Sequence, residues 1–429
     1  MKPILLMDEQ AGLLSKKDKL LYGLVTAFLL TLYLPHIPVI TNIIFGAIAL
    51  LSFSYNSWED KRRLLRQRKE VLIILLFYLL HIISALISDN IKEGFSYLVL
   101  RLPLLAFILV LGWIYMHQAL KERILFAYII ITTMVLLFCM VWQFIQYQAT
   151  GNAALLYNDS LTDIIERQSV YVANMVNLAI FSLIYLLSIK SAFLPKQIWV
   201  YAVLLVLLVA NFLLASRIGI TILYGTLFCL SLFYIIKKRK FLAGAAFVLA
   251  LAAAGFLLVK AFPKTINRFR ELGYTHYEYS HRGMESHYNM QVTPDQWNGA
   301  NIRLAVWNCG WELVKQHPVF GVQVGDKMDE LMQVYADKQF NFAYASRRNL
   351  HNTYLDVLVA LGAVGLIVFL AGFFVIPFIK SIHTHNLFGM LVIPAFALSL
   401  VSETYLDRSL GNMLLAFFIG FVISCRKPV

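Results

Sequence analysis

Charged residues are scarce in this chain of 429 residues. Lys, Arg, Asp and Glu together make up 14% of it, whereas soluble domains carry about 25%. Cysteine is rarer still, with four residues, and three of them lie in or beside apolar segments, which argues against a disulfide scaffold. The 22 glycines and 11 prolines show neither a collagen-like period nor the abundance typical of disordered chains. These shortages exclude a soluble multidomain protein, a disordered protein and a fibrous one.

Apolar residues are abundant instead and make up 60% of the chain. They recur in uninterrupted runs of about 18 or more residues, the length that a helix needs to cross a bilayer. The runs do not alternate with polar residues, so they do not fit a β-barrel. We therefore predict an all-α polytopic membrane protein of about twelve transmembrane helices. The predicted spans are 19–34, 37–54, 70–87, 95–116, 124–147, 173–189, 197–214, 218–236, 241–260, 353–379, 386–401 and 408–424.

Lys and Arg residues are distributed unequally between the two sides of these spans. With the N-terminus inside, the cytoplasmic segments hold 21 of them, whereas the opposite side holds 5 outside one long loop. This is the positive-inside pattern, so we expect both termini in the cytoplasm and the long loop on the outer side. The net charge of +13 follows from the same bias and indicates no nucleic-acid partner.

The long loop divides the chain into three parts of a single functional unit. Residues 1–260 are predicted to form a bundle of about nine spans, 261–351 the outer loop with short helices, and 352–429 the last three spans. A second, shorter outer segment covers residues 148–172. About 90 residues are too many for a simple tether, so the long loop is expected to have structure of its own.

One helix of this loop is predicted at residues 301–316, where apolar residues recur on one face. Pro318 is expected to end it, because proline disfavours helix in the residue before it. The simplest explanation of Trp307 and Trp311 on this helix is packing at the membrane surface. A second helix is predicted over about 327–338, with Asp326 as its N-cap.

Three histidines in the same loop, His276, His281 and His287, raise the question of a metal site. Their spacings of five and six residues do not put ligands on one helix face, and no paired cysteines accompany them. A surface loop or a sugar-contacting loop is the better interpretation. We therefore predict no metal site and no cofactor.

Ionisable residues near the outer ends of the predicted spans are the candidates for function. Charged groups inside a membrane are costly, so they tend to be paired or functional. Arg217 stands between two spans with almost no loop, which holds it at the outer face. A snorkelling or salt-bridged role for Arg101 and Arg408 remains open. The full set is Arg101, Arg217, His351, Glu403, Asp407 and Arg408.

The order of several short motifs resembles the O-antigen ligase and O-antigen polymerase superfamily. These proteins are polytopic glycosyltransferases of the GT-C type in lipopolysaccharide and polysaccharide biosynthesis. Each motif is weak alone, and the order and common outer placement make the match specific. The motifs are Ser216-Arg217, Arg303 with Trp307, His317-Pro318 before Gly321 and Gly325, His351-Asn352-x-Tyr354-Leu355, and Gly362-x-x-Gly365.

The resemblance implies an enzyme of the bacterial inner membrane whose active site faces the periplasm. Its donor would be an undecaprenyl-pyrophosphate-linked glycan, and its acceptor the lipid A core or a growing glycan. Such enzymes are taken to be inverting and metal-independent. By resemblance, Arg217 and Arg303 would contact the pyrophosphate and His351 would be the essential histidine. Substrate contacts of lower weight are Arg101, Asn352, Tyr354, Glu403 and Arg408.

Elementary chemistry agrees with these roles. Guanidinium groups bind phosphate oxygens bidentately, and pyrophosphate leaves readily once its charge is stabilised. A histidine suits the base that takes the proton of the attacking hydroxyl. It suits equally well a hydrogen bond to the pyrophosphate. Glu403 is a second candidate for the base.

Four functions remain open at this point. A ligase is favoured over a polymerase, because polymerases often have two sizeable outer loops and an Arg-x10-Gly pattern. Here the second loop has about 25 residues, and the only such pattern, Arg101 to Gly112, lies inside a span. A protein O-oligosaccharyltransferase shares the donor. A lipid-linked glycan flippase would show a polar central cavity rather than an outer groove.

Overall fold

The computed structural model describes residues 14–35, 37–261, 269–281, 285 and 296–426. Within these ranges the regular structure is helical throughout, as predicted. The N-terminal helices are α1 Lys16–Thr31, α2 Pro38–Phe53, α3 Trp58–Gln67, α4 Lys69–Ile87, α5 Ile91–Gly112, α6 Gln118–Thr150, α7 Asn158–Leu161, α8 Ser169–Ser188, α9 Gln197–Leu213, α10 Arg217–Lys238 and α11 Phe241–Ala261. The loop and C-terminal helices are α12 Asn301–Gln316, α13 Lys327–Asp337, α14 Asn341–Ala345, α15 Thr353–Leu370, α16 Ile376–His383, α17 Leu387–Ser399 and α18 Ser409–Ser424.

Six of the described helices are long and apolar enough to cross a membrane, or seven if the bent pair α2–α3 counts as one span. The six are α4, α5, α6, α8, α10 and the continuous run Thr353–His383. A helix overlies each of the twelve predicted spans, but α1, α2, α9, α17 and α18 are shorter than 18 residues. A polytopic helical membrane protein is therefore confirmed, and the count of twelve crossings stays a prediction.

Two helices lie at the centre of the bundle. Nearly every residue of α8 and α18 is buried, which is expected of helices that are apolar on all sides. Phe417 of α18 packs its ring at 5.3 Å from Phe28 and 5.9 Å from Phe107. The outer helices leave large apolar side chains exposed, as a lipid-facing surface requires.

The predicted loop helices are present as α12 and α13, and His317 ends α12. They pack around Trp297, Tyr335 and Phe340, which are fully buried. The same apolar cluster continues into α15 through Leu355. The described part of the loop is therefore a folded layer attached to the bundle.

One segment of the loop enters a break in α15. Gly362 has a φ of +62°, so the helix is kinked there. The backbone amide of the next residue, Ala363, donates to the carbonyl of Pro318 at 2.9 Å. A Cβ at Gly362 would lie 2.2 Å from the carbonyl of Val319. Gly321, with a φ of +69°, fits equally tightly against α15. The glycine motifs thus join the loop to the tenth predicted span.

One local prediction needs correction. Asp326 occupies the N-cap position of α13, but its carboxylate accepts no amide of that helix. It accepts the backbone amides of Asp89 and Asn90 instead, at 3.0 and 2.8 Å, and so holds the start of α5. The connection after α2 contains helix α3, which turns by 108° from α2.

Candidate active site

A groove of about 560 Å³ opens between α12 and the loop-bearing end of the bundle. Three proposed catalytic residues, Arg217, Arg303 and His351, line it together with Glu403. Its walls combine apolar and polar groups. The other lining residues are Asn158, Asp159, Gln168, Ser169, Val170, Ser216, Ile218, Thr221, Phe269, Leu272, Thr275, Gly299, Ala300, Leu304, Trp307 and Ser402.

Arg217 is held at the groove by the sharp connection between α9 and α10. Ala215 has a φ of +49°, an unfavourable value for a residue with a side chain. Ser216 then caps α10, with its hydroxyl accepting the amide of Gly219 at 3.3 Å. Arg217 is the first residue of the helix and is half-buried. Backbone strain of this kind is most common at functional sites.

Arg303 lies in the first turn of α12, on the opposite wall. Its Nη1 donates to the carbonyl of Gly299 at 2.7 Å, and its Nη2 lies 3.3 Å from Oε1 of Glu403. These contacts fix the guanidinium, and 25% of the side chain remains exposed to the groove. The loop helix therefore brings a positioned cation over the bundle.

Three helices begin at this groove, because residues at the N-terminal ends of α8, α10 and α12 line it. A helix carries about half a positive charge at its N-terminus, where backbone amides lack partners within the helix. Such ends bind phosphate and other anions. The first amide of α8 already donates to the carboxylate of Asp159 at 2.6 Å, and that of α12 to Oδ1 of Asn298 at 3.0 Å. The two arginines and the remaining amides of these helix ends form an arrangement suited to an anion.

His351 lies two residues before the first residue of α15 and of the tenth predicted span, and it has a φ of +44°. Its Nδ1 lies 3.4 Å from Oε2 of Glu403. If Nδ1 carries the proton of the neutral ring, Nε2 is left as an acceptor. This is the usual way in which a carboxylate fixes the tautomer of a histidine base.

Glu403 is the link between the two walls, since it pairs with both Arg303 and His351. Its side chain is 12% exposed. Burial opposes ionisation, yet the hydrogen bond with His351 and the charges of Arg303 and Arg408 hold the pKa of Glu403 below its ordinary value. Thr353 fixes the backbone of Glu403, because its hydroxyl donates to the Glu403 carbonyl at 2.6 Å.

Arg101 is not in the groove, so the structure does not support its prediction as a substrate contact. Its side chain is 1% exposed, and its Nη2 lies 2.9 Å from Asp407 and 3.3 Å from Asp356. Lys327 completes the group, with its Nζ at 2.7 Å from Asp356 and 2.8 Å from Asp407. We call these four residues the buried ion cluster. Two cations and two anions satisfy each other there, as burial requires.

Burial also shapes the protonation of this cluster. It disfavours the charged form of Lys327, but the carboxylates of Asp356 and Asp407 outweigh it and raise the pKa of Lys327. Burial likewise disfavours the carboxylate of Asp407, and Lys327 and Arg101 reverse this and lower the pKa of Asp407. Both groups stay ionised at neutral pH.

The remaining predicted contacts lie beside the groove. Asn352 and Tyr354 line a second, more apolar groove of about 430 Å³ on the other side of Trp307. Asn352 caps α15, and Tyr354 donates to the carbonyl of Ala397 at 2.6 Å. Arg408 is an exposed residue at the start of α18 and does not line either groove.

The sequence did not predict one wall of the groove or one ion pair of the buried ion cluster. The segment around Asn158 and Ser169 was noted only as a second, shorter outer segment, yet it closes one side of the groove. Asp356 and Lys327 were not singled out. Asp356 lies within a predicted span, and an acidic residue there signals a buried partner.

No group of three or more His, Cys, Asp and Glu side chains suited to a metal ion occurs among the residues that the structure describes. His276 and His281 each lie 3.9 Å from Glu278. His287 lies outside the described residues.

Comparison with known proteins gives one positive result. A family model described as O-Antigen ligase matches residues 202–370, a region that holds Arg217, Arg303, His351 and the glycines of the kink. No curated protein matches the chain. The family supports a glycosyltransferase-like enzyme of polysaccharide or O-antigen ligation or polymerisation. The chain therefore carries an O-antigen ligase family region at residues 202–370, and the resemblance drawn from its motifs is confirmed.

Proposed function

We propose that this protein transfers a glycan from undecaprenyl pyrophosphate to an acceptor hydroxyl, in the groove between α12 and the bundle. The acceptor is the lipid A core, so the reaction is O-antigen ligation at the periplasmic face of the inner membrane. The observation that carries this proposal is Glu403, which pairs with Arg303 at 3.3 Å and with His351 at 3.4 Å. It joins an anion-binding group and a base in one groove.

Arg217, Arg303 and the three helix N-termini bind the pyrophosphate in this proposal. Negative charge accumulates on the pyrophosphate as its bond to the sugar breaks, and fixed donors stabilise that charge without reorganising. The donor set consists of guanidinium groups and backbone amides, so the chain itself supplies the charge that Mg²⁺ supplies in other transferases. The chemistry proceeds without a metal ion.

His351 is the base. Glu403 fixes its Nδ1 and stabilises the imidazolium that forms, which leaves Nε2 to take the proton of the acceptor hydroxyl. The acceptor oxygen attacks the anomeric carbon as the bond to the pyrophosphate oxygen breaks. Attack opposite the leaving group inverts the anomeric centre, and undecaprenyl pyrophosphate leaves as the second product.

Two features favour a ligase over a polymerase. The second outer segment is short, and its described part folds as a wall of the groove rather than as a separate domain. The Arg-x10-Gly pattern uses Arg101, whose guanidinium is paired in the buried ion cluster. The groove lies under the loop, which favours a transferase over a flippase.

The banding of lipopolysaccharide from a deletion strain tests the assignment. A ligase predicts loss of the whole O-antigen ladder while polymer accumulates on its lipid carrier. Core carrying a single repeat unit would instead identify a polymerase and refute ligation. An unchanged ladder would exclude both the ligase and the polymerase function. Complementation with Arg303→Ala and with Lys315→Ala distinguishes loss of the site from loss of the fold. Lys315→Ala makes an equal charge change at an exposed position of the same helix and should restore the ladder, whereas Arg303→Ala should not.

A further inference from the structure

The end of the bundle opposite the groove carries a helix that the transferase site does not use. Helix α3 turns by 108° from α2, so it does not continue the direction of that span. It is strongly amphipathic, with Leu64 buried on one side and arginines on the other. A helix of this kind between two apolar spans is typical of one that lies in the membrane surface.

The buried side of α3 is fixed firmly to the bundle. Lys61 is 2% exposed, and its Nζ lies 4.7 Å from the Trp58 ring, 5.4 Å from the Trp113 ring and 5.5 Å from the Phe53 ring. It also donates to the carbonyl of Phe53 at 2.7 Å. The lysine is therefore an anchor of α3 and is not available to an outside partner.

Arg68 anchors the other end of α3. Its guanidinium donates at 2.6 Å to the carbonyls of Gly112 and Ile114 and at 3.1 Å to that of Ser424. These groups terminate α5 and α18, so α3 is joined to the ends of two central spans. Its orientation is set before any partner binds.

The outer side of α3 presents cations and an aromatic ring. Arg62 and Arg66 are one helical turn apart and exposed, and Lys69 is exposed at the start of α4. Trp58, one turn before Arg62, is 62% exposed. Cations beside an exposed tryptophan are the composition that binds the headgroup region of a bilayer.

One carboxylate of α3, that of Glu59, is exposed beside Trp58, whereas the neighbouring carboxylates are engaged elsewhere. Asp18 accepts hydrogen bonds from Ser15 and Tyr55. The carboxylate of Asp60 accepts from Ser57 at 2.9 Å. Glu70 is buried against Lys380 and Arg426.

Further cations extend the same surface. Lys16, Lys17 and Lys19 of α1 are exposed, and Nζ of Lys17 donates to the carbonyl of Ser54 at 2.6 Å, four residues before α3 begins. The surface therefore has an excess of positive charge that the described carboxylates do not neutralise.

We propose that the outer face of α3, with Lys69, is a binding site for anionic phospholipid headgroups of the bilayer in which the protein lies. Guanidinium groups bind the phosphate diester bidentately, and the Trp58 ring packs at the level of the glycerol backbone. The site recognises charge, so zwitterionic lipids bind it weakly. This inference does not depend on the proposed transferase activity.

Native mass spectrometry of the full chain in mild detergent tests the site. The probes are dioleoylphosphatidylglycerol and dioleoylphosphatidylcholine, added at equal concentration. The wild type is expected to retain phosphatidylglycerol preferentially, and retention should fall as ionic strength rises. Each cation of the α3 site contributes about a five-fold factor in affinity, so Arg62→Gln, Arg66→Gln and Lys69→Gln together should weaken retention on the order of 100-fold.

A matched triple variant distinguishes a site from general positive charge. Lys237, Arg239 and Lys240 are exposed at the same end of the bundle, and their replacement by Gln removes the same charge. That variant should retain phosphatidylglycerol within about two-fold of the wild type. Equal losses in both triple variants, or equal retention of the two lipids by the wild type, would overturn the proposal. If the α3 triple variant unfolds at a lower temperature, Arg62→Gln alone should still show the five-fold loss, and its absence would be equally decisive.

Discussion

Two groups of charged side chains lie close together in the bundle, and they differ in the balance of positive and negative charge. The buried ion cluster has two cations and two carboxylates, with side chains between 1% and 10% exposed. The groove has two arginines and three helix N-termini against Glu403 and Asp159, and His351 is 29% exposed there. Saturated pairs hold a fold together, whereas an accessible excess of positive charge calls for an anionic partner.

The two groups share a segment of chain. Glu403 belongs to the groove and Asp407 to the cluster, and they are four residues apart in the connection before α18. Lys327 ties the loop to the same connection. The cluster therefore positions the segment that carries Glu403. Substitutions in the cluster should mainly lower stability, and substitutions of the two groove arginines should lower activity with the fold intact.

The largest effect is expected from Lys327→Met. It leaves Asp356 and Asp407 buried with one cation between them, which should cost about 3–5 kcal/mol of unfolding free energy. Thermal unfolding of the purified protein in detergent measures this. Adding Asp356→Asn should recover part of the loss, because the uncompensated charge is removed.

Lys338→Met is the control for that variant. Lys338 follows the same helix α13 and makes a more exposed ion pair with Glu312 at 2.7 Å. Surface pairs contribute about 0–1 kcal/mol, so this change should be small. Equal destabilisation by the two methionine variants would show that the buried ion cluster has no special weight.

Arg303→Ala should lower the rate of glycan transfer by about 10²–10³-fold, the usual cost of removing one donor to a developing oxyanion. Arg217→Ala should behave alike, and Arg217→Lys should recover only part of the rate, since lysine lacks the bidentate fork. A transfer assay with purified protein measures both. Lys315→Ala should remain fully active. An alanine variant of either arginine with wild-type activity would remove that residue from the site.

Glu403→Gln should lower the rate about 10²-fold, at the lower end of what a general base contributes, because His351 keeps its ring but loses the partner that fixes it. His351→Gln should be at least as severe. The transfer rates of the two variants, measured at saturating acceptor, test whether His351 depends on Glu403. If Glu403→Gln matches the wild type while His351→Gln is inactive, His351 acts without Glu403.

Acid should affect the folded protein through the same carboxylate. The pKa of Glu403 is lower in the folded chain than its ordinary value of 4.5. Its ion pairs therefore stabilise the fold above about pH 4.5, and this contribution is lost as pH falls through the depressed value. Glu403→Gln should be less stable than the wild type at neutral pH and should converge with it in acid. The measurement is the unfolding temperature of both proteins from pH 3 to pH 7. A difference between them that stays constant over this range would contradict the prediction.

The smallest expected effect is that of EDTA. The proposed chemistry places arginines and helix N-termini at the pyrophosphate, so chelation should leave the transfer rate unchanged. Restoration of an EDTA-inhibited reaction by Mn²⁺ or Mg²⁺ would show that a metal ion takes part.

The sequence predicted much of this organisation, because its signals are local. Apolar runs located the helices, the pattern around Trp307 located α12, and the short connection at Arg217 fixed that residue at one end of the bundle. The buried ion cluster was not predicted, since its four members come from separate parts of the chain. The sequence therefore left Arg101 open between a salt bridge and a substrate contact, and in the structure its partners are Asp356 and Asp407. The wall around Asn158 was missed for the same reason, as polar composition alone gives no direction in space.

The most direct test of the central claim is the relative affinity of the purified protein for undecaprenyl pyrophosphate and undecaprenyl monophosphate. If the groove binds the pyrophosphate, the wild type prefers the pyrophosphate, and Arg217→Ala and Arg303→Ala each lose most of that preference with an unchanged unfolding temperature. A preference that persists in both variants would place the pyrophosphate elsewhere and contradict the account.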